Sequence, residues 1–181
     1  MKFTMIQNSL AALGFSLLLF SDFLWAKGKK MASTLRRSGY LAVFGGLGLW
    51  IFLPSSANTP DSLLSAALIV TAAASSVLLF WSVFIEIGIE RKKHDLGPAD
   101  VISSGSYGHC RHPGFWWFAI LIIILGILKG FSGNFLTILI MIGLDLLLIL
   151  FQDRYTFPMV FRGYDDYRKA VPFLIPRIWK A

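Results

Sequence analysis

The chain has 181 residues, of which 56% are hydrophobic, 15% charged and 15% aromatic, with a net charge of +7 and a mean hydropathy of +0.67. Soluble domains carry about 25% charged and roughly 45–50% apolar residues, so this composition excludes an ordinary soluble enzyme and a disordered tail and points to a membrane. The lone cysteine, Cys110, excludes an intrachain disulfide and any multi-cysteine zinc or iron–sulfur centre.

Five apolar runs follow in chain order. The first, Met5–Trp25, ends in Phe23-Leu24-Trp25-Ala26-Lys27 without a small-x-small pattern, and most of the nearby basic residues follow it. It therefore reads as a retained helix and not as a cleaved signal peptide. Asp22 lies at its inner, interfacial end. The second run, Tyr40–Leu53, reaches back to about Gly39 and contains Gly45, Gly46 and Gly48, small residues that permit close helix packing. The third is Ser62–Ile85. Glu86 and Glu90 follow it, four apart on one helix face and beside Arg91, Lys92 and Lys93, the pattern of a salt network at headgroup level. The fourth runs from about Phe115 to Leu128 and the fifth from Phe135 to Phe151. Asp145 is the deepest carboxylate. It is either hydrogen-bonded to a neighbouring helix or protonated, or else it faces a ligand. A span needs about 20 residues, so the second and fourth runs must borrow flanking residues.

Basic residues decide the count and the orientation. With five helices, 15 of the 17 Lys and Arg fall on one side, leaving only Lys2 and Lys129 on the other; four helices would scatter them. The expectation is an all-α, multi-pass integral membrane protein, one domain over 1–181, N-terminus out and C-terminus in. The same placement accounts for the positive charge through the bilayer and its anionic headgroups, without nucleic acid. Nothing in the sequence fixes the oligomeric state.

The long polar stretches are both cytoplasmic: a third loop over about Glu86–Pro113 and the tail from Gln152. The outer connections, 54–61 and 129–134, are short. A site is thus expected from the third loop and an amphipathic C-terminal segment, on the cytoplasmic side. In Gly105-Ser106-Tyr107-Gly108-His109-Cys110-Arg111-His112-Pro113-Gly114-Phe115, Pro113 suits a helix first turn and keeps His112 extended. Arg111 and His112 then sit at a bend on the membrane surface, directly before Phe115, Trp116 and Trp117. Such a basic pair beside aromatics suits a ligand with an anionic and an apolar part, or is an interfacial aromatic belt topped by a snorkelling Arg. His109 and His112 flank Cys110 at metal-like spacing, but no further ligand converges locally and Arg111 opposes a cation, so no metal is expected. His94 reads as a solvated loop residue. In the tail, Gln152 and Asp153 close the fifth helix. Tyr155, Tyr164, Tyr167 and Val171–Pro176 then either lie on the inner surface or fold back over a pocket.

These residues resemble the membrane-embedded methyltransferases related to isoprenylcysteine carboxyl methyltransferase and phospholipid N-methyltransferase. That family's front motif, Gly-x-Tyr-x-x-x-Arg-His-Pro-x-Tyr, is matched by Gly105, Tyr107, Arg111, His112 and Pro113, with Phe115 at the last place. Its rear motif has a Glu-Glu pair, Tyr-x-x-Tyr, Val-Pro and a final Pro. Here Gln152 and Asp153 stand at the acid pair, followed by Tyr164, Tyr167, Val171, Pro172 and Pro176, while the Phe-Gly before the first Tyr is displaced. The likeness covers about 86–177. It implies a catalytic region there, S-adenosylmethionine as cofactor, and a lipophilic or membrane-associated acceptor, a carboxylate, amine or thiol. Arg111 would hold the donor carboxylate and Asp153 its ammonium, with Gln152 on a polar group. His112 would orient the donor or accept a proton, and these three (Arg111, His112, Asp153) are the catalytic candidates. Gly105, Tyr107, Tyr164 and Tyr167 would complete the cofactor site, and Phe115, Trp116 and Trp117 would line it for adenine or a lipid tail. Two other classes compete. A sterol-type reductase would use NADPH and typically needs more helices than this chain supplies; a non-catalytic membrane partner would bind neither cofactor.

Overall fold

Long runs of Leu, Ile, Phe and Ala leave the backbone no hydrogen-bond partner in an apolar setting except itself, and the chain responds with helices almost throughout. The structure, a computed structural model, describes residues 2–52 and 61–176. Residues 53–60, which hold most of the outer connection at 54–61, and the basic residues Arg177 and Lys180 lie outside the described residues. The helices are α1 (Lys2–Ala26), α2 (Ala32–Phe52), α3 (Ser62–Phe80), α4 (Glu86–Lys93), α5 (Pro113–Leu128), α6 (Phe131–Phe151), α7 (Phe157–Val160) and α8 (Tyr164–Ala170). A π turn, Trp81–Ile85, joins α3 to α4, and a second, Gln152–Thr156, joins α6 to α7.

Three stretches are long and apolar enough to cross a bilayer, Ile6–Ala26, Ser62–Lys93 and Gly133–Val160, which makes this a multi-pass membrane protein. Helix α5 is apolar but has only 16 residues, about 24 Å against a hydrocarbon core of roughly 30 Å. Helix α2 has the length but opens with Arg36 and Arg37.

Several boundaries differ from the sequence expectation. Helix α2 starts at Ala32, taking in residues before the apolar run as its shortness requires, and its basic end is packed: Arg36 Nη2 lies 3.1 Å from Asp22 Oδ1 and its guanidinium covers the Trp25 ring at 4.3 Å. Asp22 is therefore buried against the neighbouring helices. Helix α6 starts at Phe131, and the preceding connection shrinks to Lys129–Gly130, with Gly130 at φ +88°. The Asn134 amide ties that turn by donating to the carbonyls of Lys129 and Gly130, both at 2.9 Å. The third loop begins after Lys93, since the helix runs on through Glu86. Gln152 and Asp153 do not close a helix either, because they lie inside one that continues to Val160. Pro158 explains the local form. It has no N–H to give, and the ladder is rearranged into a π turn directly upstream of it.

Helix α2 packs on α1, α1 on α6, α6 on α5 and α5 on α3. The close approach of α1 and α2 is made by Gly14 and Gly39: a Cβ on Gly14 would stand 2.9 Å from the Val43 backbone nitrogen, and one on Gly39 would stand 2.8 Å from Leu18 Cγ. Gly45 and Gly48, which the sequence suggested for this purpose, face open space. The main core joins Phe15, Val43, Leu47, Trp50, Phe118, Ile122 and Met141. A second, smaller core of Tyr164, Tyr167 and Val171, packed against Val101, Phe157 and Phe161, lies where the third loop meets the tail.

Candidate functional site

The front loop is held before it presents anything. Gly105 has φ +61°, and a Cβ there would run into Glu86. With that space empty, Glu86 accepts from the Ser106 N–H (2.5 Å) and the Ser106 hydroxyl (2.6 Å). Glu90, one turn on, accepts from the Ser104 hydroxyl. The two carboxylates thus clamp the loop, and Glu90 also has Lys93 Nζ at 3.8 Å and His94 Nε2 at 3.4 Å. The Tyr107 hydroxyl donates to the Ser82 carbonyl in the first π turn (2.9 Å), and Tyr167 donates to the Tyr107 carbonyl (2.7 Å). Tyr107 and Tyr167 therefore spend their phenols on scaffold bonds.

The loop then delivers Arg111 and His112. His112, at φ −129° and ψ 66°, stays outside the helix that Pro113 opens. The tail folds back over this bend. The Arg111 N–H donates to the Pro172 carbonyl (3.0 Å), Arg111 Nη1 to the Arg168 carbonyl (3.1 Å) and Trp116 Nε1 to the Leu174 carbonyl (2.7 Å). Phe173 meets the His112 ring edge-on at 5.2 Å and lies 5.6 Å from the Arg111 guanidinium, while Phe157 stacks on the other side of His112 at 5.9 Å.

Asp153 is the centre of the cluster. Its Oδ1 accepts from the Tyr164 hydroxyl at 2.7 Å, lies 3.1 Å from Arg111 Nε and lies 3.7 Å from His112 Nε2. The Arg111 contact is an ion pair whose N–H is not aligned for a hydrogen bond, and the His112 distance is too long for one. Two buried polar atoms beside the carboxylate, Arg111 Nε and His112 Nε2, have no hydrogen-bond partner, and neither does Thr156 Oγ1 in the same π turn as Asp153. Buried polar groups are normally paired, so this concentration is unusual.

Burial sets the protonation states. It pushes the His112 imidazole below its ordinary value, with Arg111 adding to the effect and Asp153 opposing it. His112 is consequently neutral at pH 7. Burial, reinforced by Asp153, pushes the Tyr164 phenol well up, and burial does the same to Tyr107 and Tyr167, so all three act only as neutral hydroxyls. The Cys110 thiol, buried behind the loop, is also pushed up. The site can thus offer a fixed cation, a fixed anion, a neutral base and a phenolic donor within one small volume.

Arg111, His112, Asp153 and Tyr164 are brought together. Tyr107, Tyr167 and Gly105 surround them as support. Gln152 is not in the cluster: it faces α1, where its Nε2 donates to Asp22 Oδ2 at 2.8 Å. Phe115 packs edge-on against Trp116, and Trp117 packs on the main core, so the rings touching His112 are Phe157 and Phe173 instead. Asp145, half-buried, lies about 12 Å back along the helix from Asp153. Sequence reasoning missed Glu86 as a loop clamp, Asp22 as a partner of Gln152, and Thr156. Only Glu86 left a signal, an acid four residues before a second one at the end of an apolar run. An open pocket of about 430 Å³ adjoins the cluster across Tyr167, lined by Val101, Ser103, Gly108, Gly163, Asp166, Ala170 and Val171. That is within the usual size of small-molecule sites. Among the described residues, no three His, Cys, Asp or Glu side chains converge to hold a metal. No family model matches the chain, and no curated protein and no solved structure matches it either.

Proposed function

We propose that the protein is an S-adenosylmethionine-dependent methyltransferase acting on a lipophilic or membrane-associated acceptor, with five spanning helices, its N-terminus outside and its site on the cytoplasmic side. The observation that carries this reading is the convergence of Arg111, His112, Asp153 and Tyr164, with the buried Arg111 Nε and His112 Nε2 lacking hydrogen-bond partners. The donor set fits the cofactor. Arg111 Nε suits a carboxylate, Asp153 suits an ammonium or sulfonium charge, and His112 Nε2 suits either a hydroxyl of the donor or a proton of the acceptor. When bound, the cofactor supplies an electrophilic methyl group on sulfur.

The chain's own part is alignment, exclusion of water and proton handling. Phe157 and Phe173 keep water from His112. The neutral His112 imidazole can take a proton from an amine or thiol acceptor at Nε2, and a carboxylate acceptor needs none. Between α2, α3 and α5 a groove of about 250 Å³, lined by Phe44, Leu47, Gly48, Leu79 and Leu121, gives an apolar chain a place in the bundle.

Calorimetric titration of S-adenosylmethionine into the detergent-purified chain tests the reading. Binding is expected, weakened about tenfold or more in Arg111→Ala and in Asp153→Ala, the loss of one charge-assisted hydrogen bond. No binding by a folded native sample refutes it. Binding of NADPH in its place would then indicate a reductase, and binding of neither a non-catalytic partner.

A further inference from the structure

We propose that the inner end of α1, together with Arg36, is the positioning scaffold for Asp153, with Asp22 and Gln152 as positioning residues that act through the π turn. This rests on reading the Asp153 cluster as the site, and it extends that site to a helix distant in sequence.

Neighbours 152 and 153 point to different parts of the molecule. Gln152 Nε2 reaches Asp22 on α1, and Asp153 reaches Arg111 and Tyr164. Successive side chains on a helix stand about 100° apart, so one residue can serve α1 while the next serves the front loop. Asp22 is saturated on both oxygens, Oδ1 by Arg36 Nη2 at 3.1 Å and Oδ2 by Gln152 at 2.8 Å. It is 3% exposed, so its single orientation is enforced by packing as well as by bonding. Arg36 is in turn fixed on the Trp25 ring.

The same end of α1 touches the turn again beyond Asp153. Phe23 stacks on Tyr155 with centroids 6.0 Å apart and planes 12° apart. Trp25 meets Phe157 at 6.4 Å and Phe161 at 5.5 Å, and Phe157 is the ring stacked on His112. The turn is therefore gripped on both sides of Asp153. An ion pair with one partner buried is a poor source of stability compared with apolar packing, which makes its use to fix one geometry the better account of it here.

The test reads Asp153 through its neighbour. His112 is faced by Asp153 and Arg111 as its charged neighbours and by Phe157 and Phe173 as apolar ones. Its titration is followed by imidazole NMR of the full detergent-solubilised chain, with His94→Gln and His109→Gln supplying the assignment. Asp153→Asn removes the nearest anion and is expected to lower the His112 midpoint by about one unit. Gln152→Leu, which leaves the Asp22–Arg36 pair intact, and Asp22→Leu should reproduce most of that fall. Asp22→Asn keeps one oxygen for Gln152 but turns its NH2 toward Arg36, so it should give a smaller fall than Asp22→Leu. A mere loss of stability, checked by thermal melting, would not move the midpoint of the folded protein. Native titration in Gln152→Leu, an upward shift, or no shift in Asp153→Asn overturns the proposal. If Asp22→Leu does not fold, Gln152→Leu alone carries the test. Failure of the native chain to bind S-adenosylmethionine overturns the proposed activity and leaves this outcome to be read separately.

Discussion

Replacing Gly105 with alanine strikes the point on which the front loop turns. Two costs arise. A non-glycine residue at φ +61° is strained by about 1–2 kcal/mol. The new Cβ would also occupy the place of the Glu86 carboxylate, which holds the Ser106 N–H and hydroxyl. Hydrogen bonds to a charged group are worth about 1.5–3 kcal/mol each, so displacing Glu86 brings the total to roughly 3–5 kcal/mol even with partial relaxation. Gly163 supplies the control. It has φ +72° but nothing within 4 Å of its added Cβ, so alanine there meets only the backbone strain. Thermal melts of the detergent-purified variants separate the two, at roughly 2–4 °C per kcal/mol for a chain of this size. The expected falls are about 10 °C for Gly105→Ala and about 3 °C for Gly163→Ala. Equal falls would refute the reasoning, because the Glu86 clamp would then contribute nothing that the backbone does not. A smaller fall in the double variant Gly105→Ala, Glu86→Ala than in Gly105→Ala alone would locate the cost in the collision.

Other outcomes follow from the same geometry. His112 has its proton affinity lowered by burial, so below about pH 6.5 the unfolded chain binds the proton that the folded chain refuses. Stability is therefore full above that pH and falls as pH drops through it, and His112→Gln should flatten the difference between melts at pH 7.5 and 5.5. Cys110, 3% exposed and with its thiol pushed up, should resist maleimide labelling in the folded protein and react on unfolding; rapid labelling of the native chain would contradict its placement. Gly14→Leu should loosen the α1–α2 contact and destabilise the protein by more than about 2 kcal/mol. Gly45→Leu, in open space, should be near neutral, and similar losses at the two positions would argue against the described packing.

The helical architecture was legible because apolar runs in a low-charge chain have few other solutions. The ends were less so. Arg36 in a run's approach reads as a boundary, yet its charge is answered by Asp22 from another helix, and no local pattern announces that partnership. Gln152 and Asp153 read as the polar end of the fifth run for the same reason. Their helix continues because both are satisfied inside the protein, one by α1 and one by the front loop. The cluster of Arg111, His112 and Asp153 was visible as chemistry, being polar sequence placed directly beside apolar helices. The aromatic lining was not: Phe115, Trp116 and Trp117 are next to His112 in sequence, but a helix turns successive side chains about 100° apart, and rings from the tail and from α7 reach His112 instead.

The π turn at Gln152–Thr156 also bears on how this stretch of chain reconciles two solvents. One extra residue in the ladder advances everything after it by about 100° around the axis. The stripe that faces lipid along α6 therefore does not continue into α7; the same helix is re-aimed without being interrupted. Its upper part obeys the demand that no backbone group be left bare in hydrocarbon, and its lower part shows Phe157 to a polar loop, on one unbroken rod that ends at Val160. A hinge or a loop at that depth would have exposed carbonyls to the bilayer. A phase shift in the helix changes which way the chain faces while its backbone stays sealed.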